Sequence, residues 1–80
     1  MRYGMETSLT TTEVLDRAEE YFGEGGLGMA LTSRDDCCVS FAGGGGHVTV
    51  TVTEGKKTGV DLETREWDYQ VKRFIADELK

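Results

Sequence analysis

The residue types best suited to chemistry in this 80-residue chain lie around two adjacent cysteines, Cys37 and Cys38. Asp35 and His47 are close to them in sequence, and thiolates, imidazoles and carboxylates are common ligands of zinc and other transition metals. A hairpin that turns at the following glycines would place His47 opposite Ala42. His47 would then lie four strand positions from Cys38, about 13 Å at about 3.3 Å per residue. We therefore predict neither a metal site nor another cofactor.

The two cysteines are also poorly placed for a disulfide. Neighbouring side chains on an extended strand point to opposite faces, and a bridge between them closes almost no loop. We expect Cys37 to pack in the core as a small hydrophobic residue. Cys38 is expected to face outward, without a base or cation to lower the pKa of its thiol. Free neighbouring thiols fit a reducing compartment, so a cytoplasmic location is predicted.

Two other groups of residues could support catalysis or binding. Asp61 and Glu63 lie two positions apart on a predicted strand, so their carboxylates share a face, as an acid–base pair requires. No pocket or basic partner that would separate their pKa values is predicted, and charge on an edge strand commonly limits aggregation. The four glycines 43–46 join two strands, whereas phosphate-binding loops lead into a helix N-terminus. We predict no catalytic residue, and hence a protein that is not an enzyme.

Alternating apolar and polar residues indicate the strands that would position these groups. The predicted strands are 27–32, 36–42, 47–53 and 59–64. The glycine run between the second and third strands is typical of an antiparallel hairpin. With loops at 33–35, 43–46 and 54–58, all three hairpins agree on one apolar face, which a one-residue slip would destroy. Its rows are Leu31–Cys37–Val52–Val60, Met29–Val39–Val50–Leu62 and Leu27–Phe41–Val48–Thr64.

Two segments with helical periodicity flank these strands. Thr10 lies three residues before Glu13, which is the pattern of a capping box, and Gly23 suits a helix end. One helix is therefore predicted over 11–22, and the second over 66–79. Each has one apolar stripe, so we place both helices on the apolar face of the sheet. The predicted fold is α+β, in the order α-β-β-β-β-α, with a four-stranded antiparallel meander.

Length and charge restrict the domain count and the partners. Eighty residues form a single domain, predicted over 10–80 behind a flexible lead-in at 1–9. The formal net charge is −6 and no segment is net positive, which argues against nucleic acid and anionic membranes as partners. No apolar stretch is long enough to span a bilayer or to act as a signal peptide. A core this small is modestly stable, which favours self-association.

The opposite face of the predicted sheet carries short side chains and no lysine, arginine or large aromatic residue. Its central positions are Ala30, Cys38, Ser40, Thr49 and Thr51. Short side chains permit close approach of another flat surface, and the first strand is an edge without charge or proline. Solvated threonine-rich strand faces are also common, which leaves a monomer open. We predict a small acidic protein–protein interaction module that forms a homodimer through its sheet, with an unidentified protein partner as a further option.

A small-molecule binding domain is the alternative function. Phe41, Trp67, Tyr69 and Phe74 would line a pocket for an apolar ligand between the helices and the sheet. Core packing is the default for Trp67 and Phe74, which lie seven residues apart on one helical stripe. The two functions differ in whether the bare sheet face or the space beneath the helices is used.

Overall fold

Five strands and two helices make up the described part of the chain. In the computed structural model, which describes residues 1–79, the order is β1 (Arg2–Thr7), α1 (Thr11–Phe22), β2 (Ala30–Arg34), β3 (Cys38–Gly43), β4 (Gly46–Thr53), β5 (Thr58–Arg65) and α2 (Asp68–Glu78). The strands form one antiparallel sheet in the order β1-β5-β4-β3-β2. The predicted α+β class is confirmed, but the predicted four strands are corrected to five.

Helix α1 begins and ends where the sequence predicts, and a complete N-terminal cap accounts for where it begins. The Thr10 hydroxyl accepts a hydrogen bond from the Glu13 amide (3.1 Å), and the Glu13 carboxylate accepts one from the Thr10 amide (3.0 Å). Two backbone donors are thereby satisfied. The bond from the Thr10 backbone favours the charged carboxylate, so it holds the pKa of Glu13 below its ordinary value. The buried side of α1 is formed by Val14, Leu15, Ala18 and Phe22.

The register of β3, β4 and β5 follows the predicted pairs. Val39 lies opposite Val50, and Val50 lies opposite Leu62; all three side chains are fully buried. The loop between β3 and β4 contains only Gly44 and Gly45, with φ of 57° and 80°. Positive φ at both central residues is what a type I′ turn requires, and its twist matches that of the paired strands. Glycine adopts these angles without steric cost, so this hairpin depends on it.

The structure places a strand within residues 1–9, which the sequence analysis assigns to a flexible lead-in. β1 pairs antiparallel with β5 along its whole length, from Arg2 to Thr7. Tyr3 and Met5 face the helices and are half-buried against the core. The sheet therefore gains an edge strand next to β5, and β5 becomes an interior strand with neighbours on both sides.

β2 also differs from the prediction, in both position and register. It begins at Ala30, three residues later than predicted, and Leu31 lies opposite Phe41 rather than Cys37. The pairing is irregular between Leu31 and Ser33, where one extra residue interrupts the ladder as in a β-bulge. All three predicted rows of the apolar face are therefore wrong at their β2 end, because Leu31 does not pair with Cys37, and Met29 and Leu27 lie before the strand.

The chain before β2 folds against the C-terminal end of α1 instead of extending. The amides of Leu27 and Met29 donate to the carbonyls of Tyr21 and Phe22, each at 2.9 Å. These bonds satisfy carbonyl groups that a helix end leaves without partners. Met29 is buried as a result, whereas Leu27 is 40% exposed. The apolar alternation of this segment does not mark a strand.

Helix α2 is shorter than the predicted 66–79, and its buried residues complete the core. Val71 and Phe74 are fully buried. The Phe74 ring lies 5.1 Å from the Phe22 ring of α1, and the Phe22 ring lies 5.6 Å from that of Phe41 on β3. One continuous core therefore joins both helices to the apolar side of the sheet. Neither described helix has the length and apolar character needed to cross a membrane.

Candidate functional site

The side of the sheet away from this core contains the five predicted interface residues. Cys38 lies opposite Thr51, and Ser40 lies opposite Thr49, with their hydroxyl oxygens 3.3 Å apart. Ala30 lies opposite Ala42 rather than beside Cys38, because β2 is shifted from its predicted register. The shift keeps Ala30 on the outer face, so all five residues share one surface.

Charge is unevenly distributed over this outer face. Apart from His47 at the end of β4, its β2–β4 part carries short side chains without charge. We call the following residues the uncharged half: Ala30, Ser33, Cys38, Ser40, Ala42, Thr49 and Thr51. The charged side chains lie on β5 and β1, where Arg2 Nε is 2.9 Å from Asp61 Oδ2. At the end of β4, His47 Nε2 is 3.9 Å from Glu63 Oε1. The outer face is therefore charged on its β5–β1 side and uncharged over most of its β2–β4 side.

Cys37 and Cys38 form a disulfide, which corrects the prediction that they are unbridged. The expectation rested on the alternation of side chains along a strand. β3 begins only at Cys38, so Cys37 lies outside the regular ladder and the alternation does not hold there. Cys37 is also exposed rather than packed in the core. The predicted cytoplasmic location rested on free thiols, and the bridge removes that argument.

The acidic residue nearest the disulfide does not turn it into a metal centre. Asp35, Cys37 and Cys38 hold their candidate ligand atoms within 4.8 Å of one another. Thiolate, not disulfide sulfur, is the ligand that zinc and similar ions bind. The Asp35 carboxylate instead accepts a hydrogen bond from the Cys37 amide (3.2 Å), which shapes the turn into β3.

The carboxylates considered for acid–base chemistry are used as surface charges. The side chain of Asp61, 37% exposed, pairs with Arg2, and that of Glu63, 54% exposed, lies beside His47. Water surrounds both pairs, so neither carboxylate is held in the dry, enclosed site that usually tunes a catalytic acid.

The four predicted pocket residues are not assembled around one cavity. Phe41 and Phe74 are buried in the core, whereas Tyr69 is 67% exposed. Trp67 is half-buried and its indole N–H donates to the Gly43 carbonyl (2.9 Å). The tryptophan therefore fastens the start of α2 to the glycine hairpin rather than lining a binding site.

A groove that sequence reasoning did not find lies between α1, the following loop and β2. Its volume is about 770 Å³, and its floor includes Met29, Leu31 and Phe41. Four acidic residues line its rim: Asp16, Glu19, Glu20 and Glu24. We call it the acidic groove. Its only sequence signal is the acidic side of α1, and the incorrect register of β2 hid the neighbouring floor.

Arg34 of β2 spans toward α1 beside this groove. Its guanidinium is 2.9 Å from Asp16 Oδ1 and also contacts Glu19. The hydrogen bond that Arg34 donates to the Asp16 carboxylate is the main reason that the pKa of Arg34 is raised. The contact satisfies two of the acidic residues and fixes β2 to the helix layer.

Comparison of the chain with protein-family models, curated proteins and solved structures gave no match. The functional proposals therefore rest on the surfaces described above.

Proposed function

We propose that the protein is a non-enzymatic protein–protein interaction module that forms a homodimer through the uncharged half of its sheet. The observation that carries the proposal is the separation of charge on the outer face, with charged side chains confined to β5, β1 and the end of β4. Two copies that meet over the uncharged half bring no like charges together.

The side chains of the uncharged half suit a flat, self-complementary contact. Sheets packed face to face lie about 10 Å apart, a spacing that short side chains can fill. Threonine methyl groups supply apolar area. The hydroxyls of Ser40 and Thr49 already bond to each other, which lowers the cost of removing them from water.

A single lysine on this face tests the proposal. Thr51→Lys places a long charged side chain within the uncharged half, on β4 beside Cys38, and its partly exposed strand position can accommodate a lysine that extends into solvent. We expect the average mass measured by sedimentation to fall below that of the unaltered protein at the same concentration, because both copies would carry the lysine at the contact.

Thr12→Lys is the matched control, since it makes the same substitution at an exposed position of α1. Its mass should equal that of the unaltered protein. The proposal fails if the unaltered protein is monomeric, or if Thr51→Lys has the same mass as the control while circular dichroism shows both folded.

Binding of a small molecule is a second candidate, favoured by the acidic groove. The groove has an apolar floor and a negatively charged rim, which together fit an apolar compound bearing an amine. A thermal-shift comparison of tryptamine with indole tests this, because only tryptamine carries the cation. Tryptamine should raise the melting temperature more, and Glu20→Gln, which removes one negative charge from the rim, should reduce the difference. Equal responses to the two compounds would remove this candidate.

A further inference from the structure

The outer edge of the sheet at β1 is regular and open. β1 has β5 as its only neighbour in the sheet, and its six residue pairs run without a bulge. No proline is present in the chain to block strand pairing. An edge of this kind presents a row of backbone donors and acceptors that another strand can use.

The hydrogen bonds to β5 show which backbone groups remain available. Met1 and Thr64 exchange both possible bonds, at 2.8 and 2.9 Å. In an antiparallel ladder such pairs alternate with pairs that exchange none. Tyr3 and Met5 therefore bond to β5, and the intervening residues direct their amide and carbonyl groups to the open edge. These intervening residues are Arg2, Gly4 and Glu6.

The side chains of these edge residues are self-complementary. If a second copy of β1 lies antiparallel with Gly4 opposite Gly4, Arg2 of each copy faces Glu6 of the other. Each hydrogen-bonded pair exchanges two bonds, so the three pairs would form about six. The nearest other registers set Gly4 opposite either Arg2 or Glu6. Each of them loses one backbone pair and both ion pairs.

Both sides of the paired strands are compatible with this register. The side chain of Arg2 is 69% exposed and binds Asp61 through Nε, which leaves its two terminal nitrogens for Glu6 of the second copy. Among residues 1–79, Glu6 takes part in no ion pair that the structure shows. On the helix side, Tyr3 would lie opposite Met5, and both are half-buried at present. A thioether beside an aromatic ring is a favourable contact.

We propose that a second copy of this chain pairs with β1 in this antiparallel register, joining the two five-stranded sheets into one continuous sheet. The contact lies along the edge of the sheet and goes beyond the proposed face-to-face homodimer, on which it does not depend. It gives the chain a second self-association surface with a defined register.

Reversing the charge of Arg2 or of Glu6 in a protein that already carries Thr51→Lys tests pairing along β1 separately from the face-to-face contact. That background should remain dimeric through β1. Adding Arg2→Glu sets glutamate against glutamate, and adding Glu6→Arg sets arginine against arginine. Each should weaken dimerisation by about tenfold or more. An equimolar mixture of these two chains should recover the dimer, because each edge then meets opposite charge. Glu20→Arg, on α1, is the control for net charge and should stay dimeric.

Hydrogen exchange of the unaltered protein gives an independent result that needs no variant. The amides of Gly4 and Glu6 should exchange more slowly as protein concentration rises, whereas those of Tyr3 and Met5 should be protected at every concentration. A monomeric Thr51→Lys background, a mixture that stays monomeric, or Gly4 and Glu6 amides that exchange equally fast at all concentrations would overturn the proposal. The face-to-face homodimer would survive each of these results, since only the Thr51→Lys comparison tests it.

Discussion

The two edges of the sheet are built differently. β1 pairs with its neighbour without interruption, while β2 is broken between Leu31 and Ser33. Arg34, at the end of β2, is held by two acidic residues of α1. β1 carries Arg2 and Glu6 on its outer face, each two positions from Gly4. The bulge in β2 and the pairing of Arg34 with acidic residues of α1 make β2 a poor partner for another strand. The charges of β1, in contrast, complement those of an antiparallel second copy of β1.

On the proposed pairing of β1, charge alone does not protect a sheet edge from pairing with another strand. Protection depends on the order of the signs and on the regularity of the backbone. When a second copy of β1 lies antiparallel to the first, Arg2 of each copy faces Glu6 of the other, so the facing charges attract each other. On β2, the extra residue disturbs the spacing of the backbone groups.

Both edges depend on one core, and breaking that core should have the largest effect. Leu62 of β5 is fully buried between Tyr3 of β1 and Val50 of β4. Leu62→Ala should lower the free energy of unfolding by about 2–5 kcal/mol, because it leaves a cavity. Urea unfolding followed by Trp67 fluorescence measures this. Leu31→Ala, at a side chain that is 47% exposed, is the control and should cost about 0.5 kcal/mol. Similar losses of unfolding free energy for the two variants would contradict the expectation that burial determines the cost.

Amide exchange at the β2 edge should respond more strongly than at the β1 edge to a substitution in the loop that leads into β2. A Cβ at Gly26 would overlap the carbonyl oxygen of Tyr21, whereas one at Gly25 would meet no atom within 4 Å. Gly26→Ala should lower the free energy of unfolding by about 1–3 kcal/mol and speed amide exchange in β2 more than in β1. Gly25→Ala should change stability by less than about 0.5 kcal/mol. Equal stability of the two variants would contradict the close approach at Gly26.

The cap of α1 should have a moderate effect that depends on pH. Thr10→Ala removes the cap and should cost about 1 kcal/mol at neutral pH. Because the pKa of Glu13 is lowered in the folded protein, its contribution is complete above its ordinary pKa and is lost as the pH falls through the folded-state pKa. The stability gap between the unaltered protein and Glu13→Gln, which lacks the carboxylate charge, should therefore narrow in acid, as thermal melts at several pH values would show.

Thr12→Ala, at an exposed helical position, is the control for that series and should show no such narrowing. A gap for Glu13→Gln that stays constant through the acid range would argue against the capping contribution of the Glu13 carboxylate.

The smallest effect is expected from the contact that holds β2 to α1. Arg34→Ala should lower the free energy of unfolding by about 0.5–1 kcal/mol, since ion pairs near the surface contribute little. Amide exchange should accelerate in β2 and not in β1. Arg73→Ala removes an exposed pair with Asp77 on α2 and is the matched control. Faster exchange in β1 as well would mean that the two edges are not independent.

The parts of the fold that follow local rules are predicted from the sequence. Thr10 and Glu13 fix the start of α1, and the Gly44–Gly45 turn fixes the register of its hairpin. In both cases the pattern and the structure involve residues close together in the chain. The same register brings the uncharged residues of β3 and β4 onto one face.

The parts that were missed depend on contacts between distant segments or on exceptions to a periodicity rule. Tyr3 and Met5 alternate as a strand should, but the segment is short and its partner lies near the other end of the chain. Met29 is apolar because it fills the core beside α1, not because it lies on a strand. The acidic groove combines a helix with the misplaced β2, so no single segment reveals it.

The pairing of β1 with β5 joins the beginning of the chain to a segment made much later. Met1 and Thr64, which are hydrogen-bonded, are 63 positions apart. During translation β1 cannot pair until β5, the last of the five strands, has left the ribosome. Contacts between such distant segments form slowly because a long loop has to close. β1 is synthesised before the other strands of this sheet, and it is therefore expected to be among the last to join it.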